Sequence, residues 1–171
     1  EECSAGTVVI PRGTEITSTV QTILTGLGIT EVAVNAMPHV LVLTSGHEVI
    51  EPGESLTPGK IYNSNRAMIC GLLEDLGFHN ITHYHVSDAP EELETEINHV
   101  LQLSAEADII ISSGGVSVGL FDTMPLIYEK LGAKSIYARI QMRPGAASYG
   151  AVTPKGQIIF GLSGNPGAAF N

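Results

Sequence analysis

Positive charge is scarce in this chain. Eight lysines and arginines stand against eighteen carboxylates, a formal net charge of −10 over 171 residues. Such a surface repels a polyphosphate backbone, so nucleic acid is not an expected partner. A phosphate-bearing ligand would have to be held by locally aimed amides or a metal ion, because the field of the whole molecule opposes it. Cysteine is scarcer still. Cys3 and Cys70 lie far apart and outside any CxxC spacing, which argues against a zinc centre or a disulfide framework. Cys70 falls on an apolar helical face and reads as core. No apolar run reaches the roughly 20 residues of a membrane span. The opening EECSAGTVVIPRG is acidic where a secretory leader would be basic. These absences predict a cytoplasmic protein with no membrane partner.

What is present is a folded, apolar-rich chain. Hydrophobic residues make up 43% of it, and mean hydropathy is positive, unlike disordered chains. The length suits one well-buried domain with a small appendage. Residues 1–35 read as that appendage: β-prone runs around Pro11-Arg12-Gly13, then a helix bearing Val20, Ile23, Leu24 and Leu27 and stopped by Gly28, then EVAV as a short strand. The pattern resets at Asn35–Pro38. From residue 36 to 171 strands alternate with helices. HVLVLT (39–44) and DIIIS (108–112) are continuous apolar runs, as in strands buried on both faces. NITHYHV (80–86) alternates apolar and polar positions. Residues 65–76 carry Met68, Ile69, Leu72, Leu73 and Leu76 on one stripe, with Ser64 as a candidate cap and Gly77 at the end. Leu93, Ile97, Val100 and Leu101 mark a second helix whose first turn is rich in carboxylates, and 124–131 a third. SIYARI, AASYGAV and QIIFGL read as strands. The alternation predicts an α/β fold, a three-layer sandwich with a mostly parallel sheet and helices on both faces, plus a small N-terminal α+β appendage. The chain starts mid-pattern and stops at GNPGAAFN, where a helix is just beginning, so a longer protein is expected.

In such sheets ligands bind at the carboxyl ends of the strands. Three connections there are unusual. LTSGHEVIEPGESLTPGKIYNSN is far longer than the usual ~2–6 residues. SSGGVSVGLFD and GLSGNPG are glycine-rich and can turn backbone N–H groups towards an anion. Each pattern is also what a tight turn leaving a sheet would need, and neither is a Walker loop or a GxGxxG fingerprint. Three at one edge favour a phosphate-bearing ligand. Glu48, Asp88 and Asp122 each follow a predicted strand and together can hold a hard divalent cation such as Mg²⁺. Asp88, before Ala89-Pro90-Glu91, equally suits a helix N-cap, and so does Asp122; Glu48 has no capping role in view. His83 and His85 share a strand face with His79 nearby, but no further ligand at a recognised spacing points to a metal there. His47 adjoins Glu48. Lys60, Arg66 and Arg143 are the basic groups near the site, and Arg143 can pair with an oxyanion.

Taken together, TSGHEVIEPGESLTPGKIYNSNR, SDAPEEL, ISSGGVSVGLFD, MRPGAAS and GLSGNP occur in the order and spacing of the molybdopterin molybdenumtransferases, a family whose eukaryotic relatives include the gephyrin E domain. The resemblance spans nearly the whole chain. It implies that residues 36–171 are a molybdopterin-binding domain and 1–35 the end of the elongated domain before it, with a C-terminal β-barrel domain absent. It implies insertion of molybdate into adenylylated molybdopterin with a divalent cation and release of AMP, in a homodimer. Carried over by motif, Ser113, Gly114, Gly115, Val116, Ser117 and Gly119 would contact the pterin phosphate. Gly164, Asn165 and Pro166 would form a second anion-binding turn. Glu48, Asp88, Asp122 and Arg143 would be catalytic, with Glu48 and Asp122 on the metal. Three departures stand out: SGHE for the usual TGDE, placing His47 for an aspartate; RPGAA for KPGKP, where Arg143 keeps one charge and Ala146 and Ala147 replace lysine and proline; and GLSGNP for GLPGNP, with Ser163 for proline. A carboxylate and a lysine are thus both missing. A homologue that binds molybdopterin or a partner protein without inserting metal is the alternative, and the related adenylyltransferase a second. The latter is disfavoured because its GGTG and arginine-aspartate pair are absent.

Overall fold

The structure, a computed structural model, describes residues 4–115 and 123–170. It divides into two compact units, Glu1–Ala36 and Met37–Asn171. In the first, the described element is helix α1 (Ser18–Gly26), whose start is capped by Thr17 accepting from Val20 N. The predicted strands of this unit do not form among the described residues. Short β-prone runs broken by Pro11-Arg12-Gly13 have no neighbouring strand to satisfy their backbone groups, and propensity alone does not hold a strand. Of the predicted apolar face only Val20 is buried; Ile23 and Leu27 are exposed.

The second unit runs β1 (Val40–Ser45), β2 (Val49–Ile50), β3 (Ile61–Tyr62), α2 (Ser64–Asp75), β4 (Ile81–Val86), α3 (Leu93–Leu103), a 3-10 turn (Ser104–Glu106), β5 (Ile109–Ser113), α4 (Thr123–Lys130), β6 (Lys134–Tyr137), β7 (Tyr149–Val152), β8 (Ile158–Leu162) and α5 (Pro166–Ala169). Six strands make one sheet in the order β4-β1-β5-β8-β7-β6. β4, β1, β5 and β8 are parallel; β7 and β6 add antiparallel at the far edge. β1 and β5 are central, which is why their sequences are unbroken apolar runs. The register pairs Val42 with His83 and with Ile111, and Ile111 with Phe160.

Alternate strand residues feed two cores. Leu41, Leu43, Ile110 and Ile159 point to one face, against Val100 of α3 and Met124 and Ile127 of α4. Val40 and Val42 point to the other, against Ile69 and Leu73 of α2. Burying each such side chain contributes about 1.5–3 kcal/mol. The three layers follow. Coverage is uneven, since Ile158 and Phe160 on the α2 side stay exposed. Tyr128 is buried in the first core with its hydroxyl bonded to Ser112; burial pushes its phenol pKa up.

Local chemistry explains most boundaries. α2 is capped by Asn63, whose side chain accepts from Arg66 N at 3.1 Å, while Ser64, the expected cap, is its first residue. Gly77 ends the helix region at φ +86°, a conformation open to glycine. Beyond Tyr137 the predicted strand SIYARI stops, and residues 138–148 are irregular.

Candidate functional site

The long connection after β1 folds back on itself. Gly46, at φ +139°, turns the chain where an added Cβ would lie 2.9 Å from Val49 Cγ2. β2 and β3 then pair in parallel, and Tyr62 donates its hydroxyl to Glu54 O at 3.0 Å. The returning chain is anchored by Asn63, only 3% exposed. Its amide donates to Thr44 Oγ1 at 2.9 Å and to Glu51 Oε1 at 2.8 Å. Glu51 Oε2 accepts from Arg66 Nη1 at 2.7 Å. Burial would raise the Glu51 carboxyl, but the hydrogen bonds from Asn63 and Arg66 and the guanidinium charge outweigh it and hold it below its usual range. Arg66, expected as a basic group at the site, is therefore spent on holding the loop.

A second anchor joins three chain segments. Asn65 donates from Nδ2 to Ser113 Oγ at 2.7 Å and to Gly164 O at 2.9 Å, and Ser113 Oγ donates to Ser163 O at 3.1 Å. The start of α2, the end of β5 and the turn after β8 are thus tied at one point. Asn65 Oδ1 and Ser45 Oγ are buried without a hydrogen-bond partner. The sequence reading quoted the motif that holds Glu51, Asn63 and Asn65 but gave none of the three a role of its own. The available signal was that asparagine at a helix start both caps and bridges.

These anchors enclose a cleft of about 320 Å³ at the carboxyl ends of β1, β5 and β8. Glu48, Asp88, Ser113, Gly114, Gly115, Gly164 and Pro166 line it, as the sequence reading places them at one edge. The glycines have steric reasons to be there. Gly114 and Gly115 sit at φ +86° and +59°, and a Cβ on Gly114 would lie 2.5 Å from Ser45 O. Gly114 N donates to Leu162 O at 3.3 Å, continuing the sheet, so this amide is not free for a ligand. Val116, Ser117, Gly119 and Asp122 lie outside the described residues. Asn165 does not line the cleft; its side chain caps α5, accepting from Ala168 N at 3.2 Å. Arg143 is exposed in the irregular segment and does not line the cleft either, although Ala147 does.

The carboxylates differ in setting. Glu48 is 43% exposed, with Oε2 3.3 Å from His47 Nδ1. Asp88 is not the cap of α3, which begins at Leu93 after an uncapped Glu92; it accepts from the hydroxyl of Thr123 at 3.1 Å, linking the end of β4 to α4. Among the described residues no three of His, Cys, Asp and Glu come together as a metal cluster. His83 and His85 both reach Thr44 Oγ1, from Nε2 at 3.0 Å and Nδ1 at 3.1 Å. Burial first, then the Arg66 charge, lowers the His83 pKa to about 4. No helix of the described residues is long and apolar enough to cross a membrane.

The chain is 39% identical over 170 residues to a molybdopterin molybdenumtransferase of Staphylococcus epidermidis and 35% identical over 170 residues to one of Bacillus subtilis, covering 99% of this chain in each case. It spans only 40% and 39% of those relatives' length. Among solved structures, a molybdopterin biosynthesis MoeA protein of Pyrococcus horikoshii superposes with a TM-score of 0.72 at 27% identity, covering 94% of this chain and 38% of that one. The molybdopterin biosynthesis Mog protein of Mycobacterium ulcerans, at a TM-score of 0.55 and 19% identity over 79% of this chain and 86% of that one, shares the fold. Residues 41–171 match the model of the probable molybdopterin binding domain, and the chain belongs to that family.

Proposed function

We propose that the protein containing this chain is a molybdopterin molybdenumtransferase, inserting molybdate into adenylylated molybdopterin with release of AMP. The observation that carries the reading is the cleft itself, where Asn65 ties the Gly114-Gly115 turn to the Ser163-Gly164 turn beside Glu48 and Asp88. The names of the relatives support the same assignment.

In this reading the pterin phosphate sits against the Gly114-Gly115 turn. With Gly114 N committed to Leu162, Gly115 N–H is the described amide left to meet it. Ser113 acts by position, because its hydroxyl is used between Asn65 and Ser163. Glu48 faces the reacting end of the ligand and, among the described residues, its carboxylate is anchored by His47 alone. A divalent cation such as Mg²⁺, when bound, would offset negative charge as anions are exchanged. Among the described residues Glu48 and Asp88 both line the cleft but do not make a complete ligand set. Asp122 and Arg143 keep their proposed catalytic roles, Val116, Ser117 and Gly119 their proposed phosphate contacts, and Asn165 a positioning role at the second turn. A homodimer in the cytoplasm is part of the same proposal.

The test is molybdate- and Mg²⁺-dependent release of AMP from adenylylated molybdopterin by the full-length protein. Binding of molybdopterin without AMP release would instead establish the non-catalytic homologue, which His47 and Ala146 favour.

A further inference from the structure

The connection from β4 to α3 enters its helix without a side-chain cap. α3 begins at Leu93 after Glu92, which makes no capping hydrogen bond. Glu96, in the first turn, reaches back along the chain instead. Its Oε2 accepts from Ser87 N at 3.1 Å, and both carboxylate oxygens accept from the Tyr84 hydroxyl at 3.0 Å. Ser87 Oγ in turn accepts from Ala89 N at 3.2 Å. Asp88 lies between these two held amides and lines the cleft. We propose that Glu96 and Thr123 are positioning residues for Asp88, clamping its backbone from α3 and its carboxylate from α4. The inference rests on the proposed function for the reaction in which Asp88 acts, while the clamp rests on the hydrogen bonds alone.

Glu96 suits the task because both of its partners are donors. An ionised carboxylate only accepts, and it meets a phenol and a backbone amide here. Such charge-assisted hydrogen bonds are roughly twice as strong as neutral ones. Tyr84 is fixed in its turn, its ring 4.6 Å from that of His99, which lies on α3 as Glu96 does. Burial first, then the hydrogen bond and charge of Glu96, push its phenol up to about 12, so it stays a donor.

Thr123 closes the clamp from the other side. It is the first residue of α4 and only 1% exposed. Its hydroxyl donates to Asp88 Oδ1 at 3.1 Å. A buried hydroxyl on a helix cannot follow a moving loop, so the carboxylate is tied to α4 as well as to its own strand. The tie matters for chemistry, because a shift of about 1 Å at a reacting group can cost about a hundredfold in rate. Neither Glu96 nor Thr123 lines the cleft, so each acts through Asp88 and not on the ligand.

The test uses the full-length protein and two readouts. In AMP release from adenylylated molybdopterin, Thr123→Val removes the hydroxyl and keeps the shape. It is expected to lower kcat about tenfold with KM within twofold, and Thr123→Ser to restore most of the loss. Glu96→Gln should lower kcat about fivefold. In an Asp88→Ala background each substitution should cost less than a further twofold. Losses that multiply there, or an unchanged kcat in Thr123→Val, would make the residues merely structural and overturn the proposal. The second readout needs no activity. Native-state hydrogen exchange at the Ser87 and Ala89 amides should rise at least tenfold in Glu96→Gln and about threefold in Thr123→Val. Unchanged protection in either variant overturns the clamp. No AMP release by the unaltered protein would count against the proposed function, and hydrogen exchange then decides the clamp by itself.

Discussion

The side-chain amide of Asn65 donates to the hydroxyl of Ser113 across 2.7 Å, joining residues 48 positions apart. Its other hydrogen goes to Gly164 O, 99 positions away. One buried amide therefore sets the distance between two glycine turns. Asn65→Ala leaves the Ser113 hydroxyl and the Gly164 carbonyl each short of a donor, a cost of about 1–3 kcal/mol in denaturant unfolding. Pterin phosphate affinity should fall about tenfold beside it. A loss of stability with unchanged affinity would reduce Asn65 to a structural role.

Gly114→Ala tests the turn directly. The substitution meets Ser45 O at 2.5 Å in a left-handed backbone, so a loss of about 2 kcal/mol or more is expected, with loss of ligand binding. Gly53 is the control. It is also left-handed, at φ +106°, but a Cβ there meets nothing within 4 Å. Gly53→Ala should cost only the backbone penalty, about 1 kcal/mol, and leave binding intact.

Glu48 and Glu51 should separate chemistry from stability. Glu48→Ala is expected to lower AMP release by the full-length protein about a hundredfold while changing stability by no more than about 0.5 kcal/mol. Asp122→Ala is expected to share the activity loss. Glu51→Ala removes two hydrogen bonds to a charged acceptor and should cost about 1.5–3 kcal/mol. Thermal melts beside the activity assay decide the matter, and a large drop in melting temperature for Glu48→Ala would make that carboxylate structural.

Acid should act in two windows. Folding depresses His83 from 6.5 to about 4, so the unfolded chain binds the extra proton first. The stability this confers is complete above pH 6.5 and is lost as pH falls through that range towards 4. Glu51, held below its usual 4.5, contributes stability that is present above that value and lost only on further acidification. Melting temperature measured from pH 8 to pH 4 should therefore begin to decline before any effect of Glu51. His83→Gln should flatten the part above pH 4.5; an unchanged slope there would assign the decline to another group.

The sequence by itself determined the layered α/β architecture and the edge at which the site lies. Buried parallel strands must be apolar on both faces, which made β1 and β5 legible, and the glycine turns announced themselves by composition. It also placed Glu48, Asp88, Ser113, Gly114, Gly115, Gly164 and Pro166 together. Local signals failed where long-range partners decide. Among the described residues the β-prone runs of 1–35 lacked a neighbouring strand, and Asp88, for which the sequence left a helix cap and a ligand role both open, accepts from Thr123 of α4. Only the tertiary structure made Arg66 a loop clamp and Asn65 a bridge. Each depends on which groups a parallel sheet brings within about 3 Å from positions far apart in the chain, and hydrophobic periodicity carries no record of such pairings.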